Sequence, residues 1–83
     1  MHNSLIKMDI QDFINKLTEI YEDANHDKID SDTKFREIEG YSSLIAFLII
    51  GMVGEVYNVS LTGDDFRKSS TVNELFSIIK SRQ

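Results

Sequence analysis

Apolar residues return at helical spacing from Asp9 onward: Ile10, Phe13, Ile14, Leu17, Ile20 and Tyr21 share one face, and Lys16, Glu19 and Glu22 fall on the other. The spacing predicts an amphipathic helix over about Asp9 to Asp23. Asp9 serves as its N-cap and Asp12 adds negative charge to its first turn. Residues 1–8 read as a loose lead-in. Residues 24–41 then form a long polar connection, which the isolated Ile29, Phe35 and Ile38 could pin to a core.

The pattern changes at Ser43, where a helix to about Tyr57 is apolar on nearly every side. At 100° per residue, Ala46, Ile49, Ile50, Val53 and Tyr57 cluster together, and this side is the expected core face. Leu44, Leu48, Gly51 and Glu55 lie opposite, with Phe47 and Met52 at the margins. A chain of 83 residues hides only one side of such a helix. The other side is therefore expected either to meet partners or to be covered by the long connection.

Asn58 and Thr62–Gly63 mark turns, and Leu61 is expected to plug the core. Asp64 to Lys68 reads as a short helical turn with Phe66 inward. Thr71 and Glu74 form a capping box ahead of Val72, Leu75, Phe76, Ile78 and Ile79, giving a last helix to about Lys80. Lys80 and Arg82 suit its C-terminal end. The expected fold is all-α: one domain over residues 1–83, a small bundle of three main helices plus one short helix, with a long first loop and no strand signal.

Charge and composition narrow the chemistry. The net charge is −5; ten acidic and five basic residues precede Ser43, and four of each follow. No basic patch offers itself to phosphates, so nucleic acid is not expected as a partner. There is no cysteine, which excludes disulfides and thiolate metal sites. The longest apolar run, Leu44 to Ile50, is too short to span a bilayer, and the first residues lack a signal-peptide run. A cytoplasmic monomer, not inserted in a membrane, is the expectation. Asp27, Asp30 and Asp32 suggest a calcium loop, but the alternating ligands, central glycine and closing glutamate are out of register.

Catalysis is not expected. A nucleophilic serine needs a base within reach, and only His2 and His26 are available. The acidic residues are expected on polar faces. What remains is the serine pair, Ser42 and Ser43, where the central helix begins. Serine is a common N-cap. A phosphate ester there would also lie at the positive end of the helix dipole, beside an exposed apolar face, as suits a tethered carrier group.

From about Asp9 to Ile79 the sequence resembles the acyl carrier protein family. The resemblance rests on Ser42–Ser43–Leu44 opening the second helix, Tyr57 closing it, the Leu61 plug, the short helix near Asp64 to Lys68, and Thr71–Val72 opening the last helix. It implies 4′-phosphopantetheine attached to Ser43 as a phosphodiester. A phosphopantetheinyl transferase would load it from coenzyme A, and acyl groups would ride on its thiol as thioesters. The implied role is a discrete acyl carrier for fatty-acid, polyketide-like or specialised lipid synthesis, exchanging with acyl-transferring and ketosynthase-type enzymes. Where the family has aspartate before the modified serine, this chain has Ser42, a comparable helix cap without a carboxylate. If Ser42 caps, the hydroxyl of Ser43 is the freer of the two. Family members display several carboxylates on the second helix, whereas this one keeps only Glu55. Leu44, Phe47, Leu48, Gly51, Met52 and Glu55 are the expected partner-binding residues. The alternative reading is a carrier-fold protein that is never modified and acts only as an interaction module.

Overall fold

The computed structural model describes residues 9–21 and 29–83, and among these it is helical, with no strand. Helix α1 spans Ile10–Ile20, α2 Ser43–Tyr57, α3 Gly63–Lys68 and α4 Val72–Arg82, with a single 3-10 turn at Phe35–Glu37. Residues 1–8 and the end expected for the first helix, Glu22 and Asp23, lie outside the described residues. So do His26 and Asp27.

Helix α1 packs on both α2 and α4, and α3 packs on α4. Asp9 caps α1 by accepting from the Gln11 N–H at 3.0 Å. Phe13, Ile14, Leu17 and Tyr21 are buried, as the 3.6-residue period requires, while Ile10 and Ile20 pack at the core's edge. Phe13 holds the junction of the three longer helices. Its ring meets Tyr57 of α2 edge-on at 6.1 Å and Phe76 of α4 at 5.5 Å.

The long connection is pinned where expected, since Ile29, Phe35 and Ile38 are all buried. Phe35 is its anchor. Its ring meets Phe66 of α3 edge-on at 5.5 Å, and its carbonyl accepts from the Tyr21 hydroxyl at 2.9 Å. The Asp30 carboxylate is occupied in the local turn, accepting from the Asp32 N–H and the Thr33 hydroxyl. Residues 31–34 lie against the start of α4. Val72 N–H donates to Thr33 O at 3.0 Å and Asn73 N–H to Ser31 O at 2.9 Å. Glu74 N–H donates to the Thr71 hydroxyl, and Glu74 returns a bond to the Thr71 N–H, which completes the expected capping box. The orphan N–H groups that open any α-helix are thereby paired at α4.

Helix α3 begins at Gly63 rather than Asp64 and carries its own capping box, Thr62 with Asp65. The expectation that acidic residues occupy polar faces fails at Asp65, which is only 4% exposed. Its carboxylate accepts from Arg82 Nη1 at 2.6 Å and Nη2 at 2.7 Å, and from the Thr62 N–H at 2.9 Å. Arg82 also donates to Ser60 O, and the Gln83 amide donates to Tyr57 O, so these two residues strap the α2–α3 link. Helix α4 runs to Arg82 for this reason, two residues past the expected end. At the far end of α3, Arg36 donates to Phe66 O.

Arg82 hydrogen bonds outweigh burial at Asp65 and hold its carboxyl at about 2, below the 3.8 of a free aspartate. A depressed carboxylate stabilises the fold fully above the unfolded value and loses that contribution as pH falls towards the folded one. The loss is expected between about pH 4 and pH 2, on the order of 2 kcal/mol. Urea midpoints for the parent chain and Asp65→Asn check this: the variant starts lower at neutral pH and falls less across that window.

The Tyr57 hydroxyl is buried and has no hydrogen-bond partner among the described residues. Burial, and then the charges of Asp12 and Asp9, push its pKa up to about 12. An unpaired buried hydroxyl costs free energy, so Tyr57→Phe is expected to raise unfolding stability by about 1 kcal/mol in denaturant titration.

Candidate functional site

The start of α2 is placed by three devices. Ile38 is buried, and Tyr41 packs its ring edge-on against Phe35 at 6.3 Å. Between them Gly40 adopts φ 97°, a left-handed value that a side chain would strain. The chain thus turns sharply from the pinned connection into the helix, and the serine pair sits at the corner.

The two serines divide the work. Ser42 is the N-cap, with its side chain accepting from the Ile45 N–H at 3.4 Å and its carbonyl from the Ala46 N–H at 3.0 Å. Ser43 is the first helical residue and is exposed, and its hydroxyl bonds to no described residue. The N–H groups of Ser43 and Leu44 also have no partner among the described residues. A phosphodiester on Ser43 would therefore meet a free hydroxyl oxygen for the ester, unpaired N–H donors, and the positive end of a 15-residue helix. The residues present fit such a group.

Helix α2 has the bounds expected from the sequence and divides largely as expected. Ile49, Val53 and Tyr57 are buried, while Ala46 and Ile50 are half-buried at the margin of the core. Leu44 is 63% exposed, Phe47 70% and Leu48 42%. Gly51 and Glu55 are exposed beside them, and Met52 is half-buried. Phe47, placed at the margin by the helical projection, is thus the most exposed of these large apolar side chains. Val56, also 42% exposed, was not anticipated. At 100° per residue it falls about 20° from the buried Ile49, so the helical projection gave no signal of its exposure. The described part of the connection leaves this face open.

The geometry is that of a helix-end serine held clear of the fold beside an apolar face. The model of the phosphopantetheine attachment site family matches residues 9–79. The chain belongs to that family. No curated protein matches its sequence.

Membership brings a cofactor with it. The domain is a phosphopantetheine carrier of the acyl carrier protein kind, and 4′-phosphopantetheine is its covalent cofactor. That group supplies a terminal thiol that the chain's own residues lack. Carrier domains are generally not catalysts themselves; they meet a phosphopantetheinyl transferase and acyl-handling enzymes. Among the described residues, no helix is long and apolar enough to cross a membrane.

The cap at Ser42 is a single, long hydrogen bond, so Ser42→Ala is expected to cost only about 0.5–1 kcal/mol in thermal or urea unfolding. Ser42→Asp keeps an acceptor at the cap and adds negative charge beside the helix start. It is expected to match or exceed the parent by a few tenths of a kcal/mol.

Proposed function

We propose that Ser43 carries the arm and that the chain ferries acyl intermediates as thioesters for fatty-acid, polyketide-like or specialised lipid synthesis. The observation that supports this most is the contrast between the serines: Ser42 is engaged as a cap, and Ser43 offers an exposed, unbonded hydroxyl. In the loading step the Ser43 oxygen displaces at the pyrophosphate of coenzyme A. One phosphodiester bond forms, the phosphoanhydride breaks, adenosine bisphosphate leaves, and the serine proton passes to a base on the transferase. The chain's own part is positional. The Gly40 turn holds the hydroxyl outward, the helix N-terminus balances negative charge at the ester, and the bundle keeps the attachment point fixed.

The same reading takes residues 1–83 as one carrier domain working in the cytoplasm as a monomer, where coenzyme A is at hand. Leu44, Phe47, Leu48, Gly51, Met52 and Glu55 form the face offered to the transferase and to acyl-transferring and ketosynthase-type enzymes. Tethering keeps each intermediate at high effective concentration near successive active sites. The absence of a carboxylate at Ser42 favours one other reading, a carrier fold that is never loaded and acts only as an interaction module.

Intact mass separates the two. With coenzyme A and a broad-specificity phosphopantetheinyl transferase, the chain is expected to gain one phosphopantetheinyl group. Ser43→Ala is expected to gain none, and Ser42→Ala to remain loadable. A chain left unmodified under conditions that load a control carrier supports the interaction module instead.

A further inference from the structure

We infer that the enzymes acting at Ser43 dock through an uncharged, apolar ridge that crosses α2 at Gly51, rather than through a basic patch. The inference rests on the reading of Ser43 as the loaded residue and specifies the partner surface that reading requires.

Charge is the first ground. Across Ser43–Tyr57, Glu55 is the only Asp, Glu, Lys or Arg. The chain's exposed carboxylates at Asp30, Asp32, Glu37 and Glu39 lie upstream, on the connection. A surface complementary to α2 therefore needs apolar area and room for at most one cation. A cluster of lysines or arginines set against Leu44, Phe47 and Leu48 would lose hydration without gaining partners.

Gly51 is the second ground. A glycine inside a helix is unfavourable relative to alanine, and here nothing among the described residues requires it. The residue is exposed, and a Cβ built on it would meet no atom of the described residues within 4 Å. The bare backbone at Gly51 lies beside the protruding Phe47 and Leu48 and forms a shallow saddle that no described residue fills. A ridge of apolar side chains, such as one face of a helix, fits it.

A second copy of the chain fits less well. The exposed parts of Leu44, Phe47 and Leu48 come to on the order of 350 Å² per copy, so a symmetric pair falls below the roughly 1,200 Å² of a stable interface. It would also cover Leu44, next to the attachment serine. An area of this size suits a partner that binds and leaves.

The test uses the full chain, saturating coenzyme A and a broad-specificity phosphopantetheinyl transferase, with initial rates of mass gain. Gly51→Leu is expected to melt no lower than the parent and yet lose tenfold or more in kcat/KM for the carrier, as is Phe47→Ser. The parent rate is expected to change less than about threefold between about 0.05 and 0.5 M sodium chloride, because little of the contact is ionic. Loading of Gly51→Leu at the parent rate, or a steep fall of the parent rate with salt, overturns the inference and leaves Ser43 as the loaded residue. A lowered melting temperature for Gly51→Leu also overturns it, by showing that the fold itself needs the glycine. If a control carrier is loaded and the parent chain is not, the carrier reading fails, and the inference with it.

Discussion

The structure turns on how one face of α2 is buried. Fifteen residues with a single charged side chain must be accommodated by a chain of 83. Burial of Ile49, Val53 and Tyr57 against α1 and the residues around it supplies the hydrophobic drive. Phe13 is the hinge of that arrangement, touching Tyr57 and Phe76 at once. Small domains bury a modest share of their surface, so the opposite side of α2 stays in water. The exposed apolar face is thus a consequence of chain length and of the central helix's composition together.

The rest of the chain holds that helix at a fixed angle. The connection is long but not slack: Phe35 anchors it between α1 and α3, and residues 31–34 pair with the opening turn of α4. Helix α3 spans six residues, too few for a stable helix by itself. It persists because Thr62 and Asp65 cap it, Arg82 clasps its first turn and Arg36 meets its last. Bonds to charged groups that are largely shielded from water are worth more than exposed ion pairs such as Asp64 with Lys68.

The parts legible in the sequence are those governed by local rules. The bounds of α2, the capping box of Thr71 with Glu74, the Asp9 cap and the inward Leu61 and Phe66 follow from spacing and turn chemistry within a few residues. The pins at Ile29, Phe35 and Ile38 were legible because isolated apolar residues in a polar stretch have few other uses. Asp65 with Arg82 was not legible. The pair is separated by 17 positions and depends on how α3 lies across α4. The capping box of Thr62 with Asp65 could have been found, since the same spacing was recognised nine residues later. At the site, the serine pair and the open face were legible from periodicity. That Ser42 is the capping serine is seen only in the structure, because capping depends on which carbonyl and hydroxyl the first turn engages.

A nearly neutral α2 also bears on time. Oppositely charged surfaces draw partners together over roughly a Debye length and raise encounter rates by orders of magnitude. A helix with one carboxylate exerts little such pull, so encounters with partners that dock on it would be limited by the need to arrive in the right orientation. Speed of hand-over must then come from abundance or from enzymes kept close by. A carrier built this way is economical where its partners are few and near, and slow where they must be found by free diffusion.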